Sequence, residues 1–110
     1  MATLKQPALP TSPKLKDFQK YIEEMVAYRG FNHADITATY LRFTEECGEL
    51  AKAIRKSQRL SIDDTSKHYE VRQEIADIFI YLLDICNFFE VDLESAFREK
   101  EEINKNRTWS

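Results

Sequence analysis

Two short acidic clusters carry the most chemistry in the chain: Glu45-Glu46-Cys47-Gly48-Glu49 and Glu74-Ile75-Ala76-Asp77. Each holds two carboxylates three residues apart, Glu46 with Glu49 and Glu74 with Asp77. On a helix that spacing puts both on one face, one turn apart. Four carboxylates brought together between packed helices repel one another unless a counter-charge neutralises them. A hard divalent cation such as Mg²⁺, which prefers oxygen ligands, meets that need. A single acidic pair is ordinary on a solvated helix face and says little. Two pairs with one geometry on two helices say more.

The elements that must position them are helical. Leu15, Phe18, Tyr21, Ile22, Met25 and Val26 predict a first helix over 14–28. Arg29-Gly30 ends it, with Gly30 suited to a left-handed cap. A second helix is expected over 35–58, capped by Asn32 or Asp35. Its residues Ile36, Tyr40, Phe43, Cys47, Leu50 and Ile54 step by four and three, as in a bundle seam. The polar stretch 57–67 reads as a loop. A third helix over 69–89 has its seam at Val71, Ile75, Ile78, Leu82, Ile85 and Phe89. On both helices the carboxylates stand one residue before seam positions, so the two pairs are expected to flank facing seams. Gly48 costs its helix about 1 kcal/mol relative to Ala, which predicts a close neighbour there. Asp92 caps a fourth helix over 93–106, burying Leu93, Ala96, Phe97 and Ile103. Lys100, Asn104 and Arg107 share one face near its C-terminus, where positive charge is favoured.

At 110 residues the chain fits one domain. Residues 1–13 hold Pro7, Pro10 and Pro13 and read as a flexible or extended arm, and 14–110 as the helical domain. The fold class expected is all-α and four-helix bundle-like. Tyr40, Leu83, Phe88 and Phe89 exceed what one seam needs, which predicts self-association. Net charge is −3, from 16 basic and 19 acidic residues intermixed along the chain. That balance argues against nucleic acid or an anionic membrane as partner. The longest apolar run, Ile78 to Ile85, is broken by Asp84 and too short to span a bilayer. The N-terminus shows no apolar signal stretch, and Cys47 and Cys86 read as reduced core thiols, so a cytoplasmic protein is expected. A di-iron bundle needs Glu-x-x-His pairs, and neither His33 nor His68 follows a carboxylate by three. Zinc-ligand spacing, a phosphate-binding Gly-Lys-Ser/Thr loop and a dinucleotide fingerprint do not occur.

The ordered pair of clusters, Glu45-Glu46-Cys47-Gly48-Glu49-Leu50 and then Glu74-Ile75-Ala76-Asp77, resembles the signature of the MazG-like all-α nucleoside triphosphate pyrophosphohydrolases. Arg29-Gly30-Phe31 resembles the turn after that family's first helix, with Phe31 where Trp is frequent. Ala51 to Lys56 and Asp77 to Leu82 resemble the stretches after its two acidic motifs. Lys100, Asn104 and Arg107 resemble residues of its last helix. The resemblance covers about residues 14–109.

The resemblance implies hydrolysis of a nucleoside or deoxynucleoside triphosphate to monophosphate and pyrophosphate, in nucleotide pool sanitation. It implies Glu46, Glu49, Glu74 and Asp77 as ligands of Mg²⁺, with Mn²⁺ as a substitute. Glu45 and Glu46 would act on the attacking water, although for Glu45 a supporting or exposed role is equally open. Lys100, Asn104 and Arg107 would hold phosphates, and Phe31 and Tyr81 would receive the base. It further implies a homodimer or homotetramer with its cleft at or near an interface. Two other readings stand beside it: a phosphoribosyl-ATP pyrophosphohydrolase, and a non-catalytic acidic helical module that binds an ion or a basic partner.

Overall fold

The computed structural model describes residues 5–30, 35–58 and 64–107, with the side chains of the third helix described from residue 70 onward. Within them the chain forms four α-helices and no strand: α1 (Leu15–Tyr28), α2 (Ile36–Ser57), α3 (Asp64–Phe88) and α4 (Leu93–Lys105). The all-α expectation holds.

Local chemistry sets most of the boundaries. The Asp17 carboxylate accepts the Lys14 backbone N–H at 2.9 Å and tightens the first turn of α1. Gly30, at φ 76°, closes α1 in the left-handed conformation that glycine adopts without a Cβ clash. Asp35 is the cap of α2, accepting the Ala38 N–H at 3.0 Å. Asp92 caps α4 in the same way, through the backbone N–H and hydroxyl of Ser95. The two Ser95 donors stabilise its carboxylate and hold it below the usual aspartate value. On α4, Phe97 and Ile103, expected to be buried, are exposed at 65% and 46%, while Leu93 and Ala96 are half-buried. In its bounds, α3 departs from expectation. It begins at Asp64, several residues before the predicted Tyr69, because the opening turns lack the apolar periodicity that would reveal them.

Two compact units are distinguished along the chain. The first comprises Met1–Asn32 and Cys86–Ser110, the second His33–Ile85. In the first, α1 packs on α4, and Ile22, Met25 and Cys86 are buried. Gln19 is buried with them at 8% exposure, and each of its polar atoms is used. Its Nε2 donates to the Val91 carbonyl at 2.8 Å and to Asn87 Oδ1 at 3.3 Å. Its Oε1 accepts the Leu93 N–H at 2.9 Å, and its own carbonyl accepts Asn87 Nδ2 at 2.9 Å. One side chain thus ties α1 to the turn between α3 and α4. That turn is a paired Schellman closure, Val91 N–H to Cys86 O and Glu90 N–H to Asn87 O, with Glu90 at φ 56°. Residues 5–13 form no helix or strand, and Lys5 and Pro7 line a small cavity of about 200 Å³ with Glu24, Ala27 and Tyr28 of α1. Lys5 and Pro7 of the proline-bearing stretch thus lie beside the end of α1.

In the second unit the α2 seam keeps the predicted Ile36, Phe43 and Leu50 but takes Thr39, Glu46 and Ala53 in place of Tyr40, Cys47 and Ile54. Ile36, Thr39, Phe43, Glu46, Leu50, Ala53 and Ser57 are the inward positions. Ala53 is 4% exposed while its neighbour Ile54 is 47% exposed, and Tyr40 stands out at 55%. Cys47, expected in the core, is exposed; Cys86 is buried, and burial raises its thiol pKa. On α3 the inward row runs through Val71, Glu74, Ile78, Tyr81 and Ile85, while Ile75 is exposed. Leu83, counted above as surplus to the seam, is the most completely buried large side chain among the described residues, at 1%. Burial of acidic positions in place of larger apolar ones costs hydrophobic stabilisation, and the excess apolar residues are left facing outward.

Candidate metal centre

Glu46 and Glu74 take inward places where Cys47 and Ile75 were expected, and Asp77 stands half-buried beside Ile78. Glu46 on α2 and Glu74 and Asp77 on α3 are each half-buried, and one carboxylate oxygen from each lies within 4.8 Å of the other two. All three belong to the second compact unit. Helix periodicity makes this possible: Glu74 and Asp77 are one turn apart on α3, and Glu46 replaces an apolar knob in α2.

The electrostatics of the trio are those of a site short of positive charge. The Glu46 carboxyl is held above its ordinary value, first by burial, then by a hydrogen bond with Glu74 and by the charges of Asp77, Glu74 and Glu49. A hydrogen bond between two carboxyl groups requires a proton on one of them. Oε2 of Glu74 is buried and has no hydrogen-bond partner among the described residues. An acceptor-only oxygen withdrawn from water in this way is costly unless a proton or cation meets it. An all-oxygen, anionic donor set of this kind suits Mg²⁺ or Mn²⁺ and offers nothing to a thiophilic metal.

Glu49 is exposed, and its carboxylate pairs with Lys52 Nζ at 3.5 Å, outside the group of three. It is still near enough to act on Glu46, and an exposed pair of this kind holds a side chain only weakly. Glu45 is exposed on α2. Tyr81 is half-buried on α3, four residues after Asp77 and therefore on its face. Lys100 and Arg107 are exposed and Asn104 half-buried; they lie on α4 or just beyond it, in the first compact unit. Phe31 and Trp109 lie outside the described residues. An open polar cavity of about 400 Å³, lined by residues including Lys16, Gln19, Asn87 and Asp92, contains none of these carboxylates.

A sequence profile for the MazG nucleotide pyrophosphohydrolase domain matches residues 34–108, about two thirds of the chain. The chain belongs to this family. The matched region contains α2, α3 and α4 and both acidic clusters, so the three meeting carboxylates are part of the MazG domain itself. No curated protein matches the chain significantly.

Asp84 is among the acidic residues of the MazG domain that received no role from the sequence. It is half-buried on α3, seven residues after Asp77. Its signal was present in the interruption of the apolar run 78–85 at the spacing of two helical turns.

Proposed function

We propose that this MazG domain hydrolyses a nucleoside or deoxynucleoside triphosphate between the α and β phosphates, releasing a monophosphate and pyrophosphate, with Mg²⁺ as cofactor. The reading is carried by the meeting of Glu46, Glu74 and Asp77 within a domain of this family. Those three residues would hold the ion, joined by Glu49 once its carboxylate leaves Lys52. Bound there, Mg²⁺ or Mn²⁺ would supply charge neutralisation for the triphosphate and lower the pKa of water.

The chain's own residues do the rest. Glu45, assigned as the base with Glu46 beside it, accepts a proton from water as the water oxygen bonds to phosphorus. The bond from that phosphorus, the α, to the α–β bridging oxygen breaks, and the electron pair leaves with the departing pyrophosphate. Lys100, Asn104 and Arg107 donate hydrogen bonds to phosphate oxygens and to the leaving pyrophosphate. Phe31 and Tyr81 offer flat faces to the base. The cellular role assigned is removal of unwanted nucleotides in the cytoplasm. Outward-facing Tyr40, Leu41, Ile54 and Ile75 support assembly into a dimer or tetramer.

Asp77→Asn tests the assignment. It removes one anionic ligand with little change of shape, and is expected to reduce pyrophosphate release by orders of magnitude while the melting temperature of the metal-free protein is kept. Full activity in both Asp77→Asn and Glu49→Gln would contradict the metal assignment.

A further inference from the structure

We propose that Asp84 reads the base, so that the site selects nucleotides whose base edge offers N–H donors, guanine foremost, over uracil or thymine. This rests on the nucleotide reading above and names the substrate class of that site. Asp77, Tyr81 and Asp84 follow one another on α3 at spacings of four and three, which keeps them on one face. All three are half-buried and belong to the same compact unit as Glu46 and Glu74. Asp77 and Asp84 are separated by about 10 Å along the helix axis. That separation is comparable with the reach from a nucleotide's phosphates, across its sugar, to the outer edge of its base. With phosphates at Asp77 and the base against Tyr81, the base edge falls at Asp84.

Asp84 interrupts the apolar run 78–85. An ionised carboxylate only accepts hydrogen bonds, through two oxygens side by side. Guanine presents two N–H groups side by side on its pairing edge. Adenine and cytosine present one amino group beside a ring acceptor. Uracil and thymine present one N–H between two carbonyls, which a carboxylate repels.

The test is pyrophosphate release from guanine, adenine, cytosine, uracil and thymine triphosphates by the unaltered chain, Asp84→Asn and Asp84→Ser, with Mn²⁺ affinity measured in parallel. The unaltered chain is expected to prefer guanine to uracil by about ten- to a hundredfold in kcat/KM, the worth of one good two-point base contact. Asp84→Asn, whose amide also donates to a carbonyl, is expected to collapse or reverse that ratio at unchanged Mn²⁺ affinity. Asp84→Ser, which shortens the side chain, is expected to flatten it. A preference for uracil or thymine in the unaltered chain, or a guanine-to-uracil ratio that neither variant moves, would overturn the role of Asp84 and leave the proposed reaction standing. Absence of pyrophosphate release from every nucleotide would overturn the proposed reaction and this inference with it.

Discussion

At Glu46 burial, the hydrogen bond with Glu74 and the charges of Asp77, Glu74 and Glu49 all favour the protonated acid. A carboxyl whose folded pKa lies above its unfolded one contributes stability that is fully present at low pH and lost as pH rises through the folded value. The window opens upward from the ordinary glutamate value near 4.5. The metal-free protein is therefore expected to lose stability across that window, and added Mg²⁺ to restore it by binding the folded state. Glu46→Gln should flatten the pH dependence, abolish the Mg²⁺-induced rise in melting temperature and abolish turnover. A melting curve against pH, with and without Mg²⁺, checks all but the last. Asp92 has the opposite sign: its lowered pKa contributes stability above the ordinary value near 3.8, lost as pH falls below it. The pairing of Glu46, Glu74 and Asp77 was legible from their spacing. The outward place of Glu49 was not, because a side-chain choice between Lys52 and the trio leaves no trace in a helical repeat.

Among the helices, Gln19 is the side chain whose loss has the clearest consequence. Gln19→Ala leaves the Leu93 N–H, the Val91 carbonyl and Asn87 short of partners in a partly buried setting. The expected loss is on the order of 3 kcal/mol, read as a lower urea midpoint. An unchanged midpoint would mean that water replaces the side chain at no cost. Helices α1, α2 and α4 were readable to within a residue or so, because caps at Asp35 and Asp92 and the stop at Gly30 mark their ends. The start of α3 was not, since its first turns carry no apolar repeat. Half of the α2 seam, at Tyr40, Cys47 and Ile54, was misread for a different reason. Counting apolar residues favours the stripe through Tyr40, Cys47 and Ile54, yet the packed stripe runs through Glu46 and Ala53. Periodicity counts residue types, and it does not register that small Ala53 is the buried position while Ile54 is exposed.

For the whole molecule, α2 carries a second apolar stripe, through Tyr40 and Ile54, that is exposed among the described residues. Gly48 lies beside the outer stripe, and a methyl group added there would meet no atom within 4 Å among the described residues. The close neighbour expected at Gly48 is thus not found among the described residues. Gly48→Ala is expected to stabilise the separated chain by about 1 kcal/mol through helix propensity. It should at the same time weaken self-association, if a second copy closes over this stripe. Sedimentation of both forms at micromolar concentration checks this, with a concentration-dependent oligomer expected for the unaltered chain. A stable monomer would contradict the assembly, though not the chemistry. No helix among the described residues is long and apolar enough to cross a membrane, so the outer stripe is not a spanning segment. The central claim is the reaction, and product analysis tests it most directly. Common ribo- and deoxyribonucleoside triphosphates are incubated with the protein in Mg²⁺ or in chelator, and the phosphorylated products are separated. The expected result is monophosphate and pyrophosphate in equal amounts, formed only with the metal; diphosphate with inorganic phosphate, or equal turnover in chelator, would contradict it.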